Sequence, residues 1–357
     1  MFFRKKSGSL EAHRDSSDGA IANKEVEGLS QRQIVFRRFV RHRGAMISVF
    51  TLSSLILIVS TALDFKVGPW KIHGWWKYGI SDIPDLRFKD CPNGEIGCPT
   101  FSLNPFGNRF GLGEHPFGQD DIGRDYLALV MRGAQRSLLV MFIIGTIGGT
   151  LGTVMGSITG FYRGKIDAIL MRFTDFIITI PSIIIGSVVG YHYGNLGVTF
   201  LALYLGLFSW TGLSRLVRGE FLKLRELEFV DAARVAGASN RRIIFKHILP
   251  NAIGIIIVSV TLLMAGAILL ETALSYIGFG VVAPDVSLGL LISQYQDSFT
   301  SRPWLFWYPG FFIVAIALSV NFIGDGLRDA FDPRQRRRIS KKDRQRASEI
   351  IKESGSL

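Results

Sequence analysis

The stretch EFVDAARVAGASNRRIIFKHILPN, Glu228 to Asn251, decides how the rest of the chain is read. Asp231, Ala232 and Ala233 fall on a predicted short helix, Gly237 is placed to end it, and Pro250 marks the start of the next element. The small residues Ala232, Ala233, Ala236, Gly237 and Ala238 let a foreign surface approach closely. Charges at Glu228, Asp231 and Arg234 give that approach an orientation. The expectation is a short polar helix that docks into a groove of another protein. A surface helix lying on lipid is the alternative, and it calls for a larger apolar face than this stretch carries.

Both flanks of this stretch are apolar enough to cross a bilayer. The 357 residues are 48% hydrophobic and 20% charged, and the apolar share is gathered into runs of about twenty residues, the length that spans a membrane core as a helix. Six spans are expected, over residues 44–63, 137–162, 166–190, 196–213, 251–275 and 308–324. Pro181 removes one backbone hydrogen bond from the third and predicts a kink. Nothing shows the period-two alternation of a barrel, so the expected class is an all-α polytopic membrane protein. The polar N-terminus does not read as a signal peptide.

Lys and Arg set the orientation. They crowd four segments: the N-terminal tail with Arg37, Arg38, Arg41 and Arg43; the turn with Arg163 and Lys165; the loop 218–250; and the tail 329–357 with Arg334 to Arg338. An even number of spans puts all four on one side, so both termini are expected in the cytoplasm. Residues 1–30 read as a disordered tail, and residues 31–43 as an amphipathic helix at the interface. Residues 44–63 form the first span, 64–136 an external loop, and 137–328 a core of five helices. The net charge of +12 is then a consequence of basic flanks facing anionic lipid, and nucleic-acid binding is excluded on that pattern.

The opening stretch closely resembles the signature loop of ABC importer permeases: an EAA-type triplet, three residues, Gly, nine residues, then I-x-L-P. Here it stands as Asp231 to Ala233, Gly237, and His247, Ile248, Leu249, Pro250. Asp replaces the usual Glu with its charge kept, and His247 in HILPN is similar to the dipeptide and oligopeptide branch. HPFGQDDIGRD (His115 to Asp125), GFYRGKIDAILMRFTDFIITIPS (Gly160 to Ser182), LLETALSYIGFGVVAP (Leu269 to Pro284) and NFIGDGLRDAFDPR (Asn321 to Arg334) resemble the same branch. The resemblance implies a type I importer fold and a heterodimer with a homologous permease. It also implies two ATPase subunits inside and a solute-binding protein outside. Cargo within such scaffolds ranges over dipeptides, oligopeptides, glutathione, nickel chelates and oligosaccharides; peptides are favoured here.

The residues agree that energy is supplied by a partner. The nearest approach to a phosphate-binding loop, Gly160 to Ile166, has the wrong spacing and Ile after its Lys, so ATP and magnesium are expected on the ATPase subunits and no cofactor on this chain. No catalytic motif is present, the six histidines are scattered, and no metal site is expected. An ATPase-independent channel would leave the docking helix without a purpose. An intramembrane enzyme would need paired catalytic groups.

Other features admit two readings each. Gly148, Gly152, Gly156 and Gly160 recur every four residues along the second span, for tight helix packing or for lining a path. Arg172 and Asp175 are spaced to pair on one helix face, and with Glu271 and Asp325 they are intramembrane charges for structural pairing or gating, or for substrate contact. Cys91 and Cys98 share the external loop, as a structural disulfide or as free thiols. The external aromatics, Trp75 and Trp76 among them, are interface anchors or a contact for the binding protein.

Overall fold

A computed structural model describes residues 31–67, 70–84, 96–101 and 113–331. Its first helix, α1 (Gln31–Arg41), lies where the interfacial helix is expected, and α2 (Arg43–Ala62) is the first long apolar helix. Then comes an antiparallel hairpin, β1 (Phe65–Val67) with β2 (Trp70–Ile72), in which Phe65 faces Ile72 and Val67 faces Trp70. The all-α expectation missed this hairpin, because six residues interrupted by Gly68 and Pro69 carry too little pattern to announce strands.

The second long helix, α3 (Tyr126–Tyr162), begins eleven residues before the expected boundary. Its start is fixed by Asp125, whose side chain accepts from the Ala128 N–H at 2.8 Å and caps the helix. Arg132 and Arg136, inside the expected loop 64–136, both ride on the helix, and Arg136 pairs with Asp285 at 3.3 Å. Thirty-seven residues make a rod of about 55 Å, so α3 must project well beyond a hydrocarbon core of about 30 Å.

The expected third span is two helices, α4 (Gly164–Thr179) and α5 (Ser182–Tyr193). Pro181 breaks rather than kinks it: with the helical turn through Leu196 the two parts meet at 71°. The fourth runs as α6 (Val198–Phe208) and α7 (Thr211–Leu224), a 27-residue apolar stretch that takes in Arg218 and Lys223. The loop, expected from residue 218, therefore begins after Leu224. It holds a short helix, α8 (Glu228–Val235), then a turn at Asn240–Arg242 and a π-helical stretch Ile243–Ile248 leading straight into α9 (Leu249–Tyr276). A short α10 (Leu288–Tyr295) precedes α11 (Trp304–Phe331), which is longer at both ends than expected. Five helices are long and apolar enough to cross a membrane, and the bent pair makes a sixth if it counts as one span.

Two compact units are delimited: residues 1–43 with 329–357, and residues 44–328. In the first, His42 lies 3.4 Å from Asp329. The tails 1–30 and 332–357 lie outside the described residues. In the second, α3 is the axis, packed against α6, α7 and α9. Its glycines explain how. A Cβ on Gly152 would lie 2.8 Å from Leu213 Cβ, one on Gly156 2.5 Å from the Ser214 carbonyl oxygen, and one on Gly160 2.5 Å from Phe221 Cβ, all on α7. On Gly148 it would lie 2.9 Å from Leu263 of α9. The bare stripe is the seat of α7, and only hydrogen side chains allow that approach.

Candidate docking helix and its supports

The helix α8 is anchored by Val230, with half-buried Ala233 beside it, and is exposed over the rest of its surface. Val230 is fully buried and packs with Phe221, Leu224, Ile243, Ile248 and Ala252. Glu228, Asp231, Ala232, Arg234, Ala236 and Gly237 are all exposed, and Val235 is 91% exposed. Val235 thus leaves an apolar tip on the exposed end of the helix. Asp231 and Arg234 pair with each other at 2.9 Å, one turn apart, a surface pair worth about 0–1 kcal/mol.

The C-terminal end is built for a sharp exit. Gly237 has φ 77°, its N–H donates to the Arg234 carbonyl at 2.9 Å, and the Ala238 N–H donates to the Ala233 carbonyl at 3.0 Å. This 5→2 and 6→1 pair is a Schellman cap, which needs the left-handed conformation glycine adopts without strain. Nothing lies within 4 Å of a Cβ placed on Gly237, so backbone geometry and not crowding requires the glycine. Half-buried Ala238 leads to Ser239, whose hydroxyl caps the next turn. His247 and Leu249 are half-buried, Pro250 sits in the first turn of α9, and the His247 carbonyl accepts from Asn251 Nδ2 at 2.6 Å.

Charged side chains tie this region to α4. Arg163, in the turn between α3 and α4, pairs with Glu226 at 2.7 Å, and Arg225 donates to the Phe161 carbonyl. Arg218 grips both oxygens of Asp167 at 2.6 Å each, and Arg215 reaches Asp175 at 2.5 Å. Asp175 therefore takes its partner from α7, forty residues away, and not from Arg172, which is exposed. The spacing within α4 allowed the local pair; the facing helix offered a better one, and single-chain periodicity carries no signal for it.

Glu271 is wholly buried and accepts from Ser137 at 2.9 Å and Ser275 at 2.8 Å. Those hydroxyls in turn accept from the N–H groups of Leu288 (3.4 Å) and Val281 (3.1 Å), so one carboxyl joins α3, α9 and the approach to α10. Asp325 is exposed, away from this knot. At the far end of α3, Asp125 is buried, accepting from Trp76 Nε1 and lying 2.8 Å from His115 Nδ1. Asp120 accepts from the N–H groups of Ile122 and Arg124, from Arg124 Nε at 2.6 Å and from the Tyr295 hydroxyl at 3.1 Å. Burial, then the Asp120 carboxylate, push the Tyr295 phenol up; burial works against the Arg124 guanidinium, but Asp120 more than offsets it and raises its pKa. HPFGQDDIGRD is thus a self-capping knot that seats α3. Cys98 has no free thiol, and Cys91 lies outside the described residues. Among the described residues no cluster of His, Cys, Asp or Glu is placed to hold a metal.

A family model described as "Binding-protein-dependent transport system inner membrane component" matches residues 152–337, a range that holds α8, its cap and its anchors. The chain belongs to this family of inner-membrane transport permeases. The permease is 37% identical over 312 residues to the oligopeptide transport system permease protein OppC of Mycobacterium tuberculosis H37Rv, covering 87% of this chain and 97% of that one. To OppC of Escherichia coli K12 it is 36% identical over 313 residues, 87% of this chain and 94% of that one. The solved MetNI methionine ABC transporter is similar with a TM-score of 0.48 and 19% identity, over 57% of this chain and 96% of that chain. As a multi-pass membrane subunit of a binding-protein-dependent importer, the permease works with ATPase and substrate-binding partners.

Proposed function

We propose that this permease forms half of the translocation channel of an ATP-driven importer of oligopeptides, with α8 as the element that receives the stroke of an ATPase subunit. The carrying observation is the single anchored helix with its apolar tip, Val235, 91% exposed beside a Schellman cap. Movement of α8 is passed on by Val230 to α7 and α9, and by the arginine pairs to α4. The bent pair α4–α5 counts as one span, which makes six and leaves both termini, α8 and the basic segments in the cytoplasm. A broken helix at membrane depth is tolerated where protein or a water-filled cavity covers it. The exposed break at Ile180–Pro181 accordingly faces a second, homologous permease and the path between them. Oligopeptides are the cargo named for the relatives of 36–37% identity. ATP and magnesium are bound by the partner ATPase pair, and this chain holds no cofactor.

A cysteine at Val235 tests the docking. In the assembled complex, V235C is expected to crosslink to an ATPase subunit carrying single engineered cysteines along its surface groove. No crosslink from any groove position in an assembled, ATP-hydrolysing complex overturns the docking role.

A further inference from the structure

Beside the knot at the outer end of α3 lies a cavity of about 440 Å³. It opens where α2 ends, with Leu63 and Asp64 on one side and Arg132 of α3 on another. Trp76 and Tyr78 form aromatic walls, and both are fixed from behind: Trp76 donates to the buried Asp125, and Tyr78 stacks on His115 with ring centres 4.8 Å apart. Among the described residues the lining includes the cations Lys77 and Arg132 and the carboxylates Asp64 and Asp82. The Lys77 ammonium lies 4.5 Å over the Tyr78 ring, and Arg132 donates to Gln135; neither is at ion-pair distance from a carboxylate among the described residues. Asp82 accepts the Gly79 N–H through one oxygen, and a carboxylate has capacity for further donors.

The cations Arg132 and Lys77 and the carboxylate of Asp82 around one cavity suit a ligand with both charges, a phosphodiester joined to an ammonium. The place says where such a ligand comes from. A turn or two before Leu63, Leu57 and Ile58 of α2 expose 64% and 43% of their surface, apolar side chains on the same helix whose end borders the cavity. Aromatic residues at the end of a span mark the level of lipid headgroups. We infer that this cavity binds the headgroup of a zwitterionic phospholipid, phosphatidylethanolamine, with its acyl chains along α2. Arg132 and Lys77 hold the phosphate and Asp82 the ammonium; Asp64 is already engaged by the Gly74 N–H at 2.9 Å and by His73 at 3.4 Å. This rests on α2 being a membrane span and is independent of the proposed cargo.

The test is native mass spectrometry of the assembled complex released from nanodiscs holding equal phosphatidylethanolamine and phosphatidylglycerol. The wild type is expected to retain phosphatidylethanolamine, one per copy of this chain. Arg132→Gln and, on the exposed loop, Lys77→Gln are each expected to lower retention about tenfold, the loss of one charge-assisted contact. Asp82→Asn is expected to narrow the preference over phosphatidylglycerol. Equal retention in wild type and both cation variants overturns the site, and equal retention of the two lipids overturns the pairing of charges. Glycerophosphoethanolamine binding without any retained diacyl lipid assigns the cavity to a soluble phosphodiester and overturns the lipid.

Discussion

Gly237 and Glu271 show how differently single residues bear on this permease. The φ of 77° at Gly237 costs any side chain with a Cβ about 1–2 kcal/mol, and a β-branched one more. Gly237→Val is expected to loosen the Schellman cap and to cut transport per ATP hydrolysed several-fold. Uptake and hydrolysis measured together in vesicles check this, and an unchanged ratio contradicts it. At Glu271 the loss is one of stability. Glu271→Ala leaves the Ser137 and Ser275 hydroxyls without their acceptor, at about 1–3 kcal/mol for each buried group. Glu271→Gln keeps an acceptor oxygen and is expected to lose less; thermal unfolding of the purified complex ranks the two. Gly237 was legible in the sequence because a glycine four residues after Ala233 has one economical use, a helix exit. The Asp175–Arg215 pair was not, since it depends on which face of α7 meets α4.

Among the helices, the seat of α7 on α3 is the most exacting contact. Gly156→Leu puts side chain where the Ser214 carbonyl and Val217 already lie, so it is expected to prevent assembly of the complex. Gly212 is the matched control, one helix away with nothing within 4 Å of a Cβ; Gly212→Ala is expected to be neutral or stabilising by up to about 1 kcal/mol. Yields and melting temperatures of the two purified variants read the contrast. The four-residue glycine repeat announced close packing in the sequence, but not the partner helix. Helix ends were the least legible feature. Arg132, Arg136, Arg218 and Lys223 look like loop residues because charge is costly in lipid, yet α3 and α7 extend past the apolar core and carry them on their ends. Pro181 was visible as a breaker, while the 71° between α4 and α5 is set by packing that no local pattern encodes.

For the permease as a whole, membrane class and family were legible because each rests on long signals: recurrent apolar runs, and a loop whose Gly-to-Pro spacing is kept over thirteen residues from Gly237 to Pro250. The hairpin Phe65–Ile72 and the cavity beside Trp76 were not, being short or built from distant segments. The proposed coupling role joins these parts, since it requires that motion of α8 reach α4, α7 and α9. The most direct measurement is ATP hydrolysis by the complete complex in lipid vesicles, with binding protein loaded by short peptides and, separately, by nickel chelates and oligosaccharides. Peptide-loaded binding protein is expected to stimulate hydrolysis and to drive peptide uptake that stops without ATP. Peptide uptake that proceeds without ATP, or a functional permease with which no ATPase assembles, would contradict an ATP-driven channel.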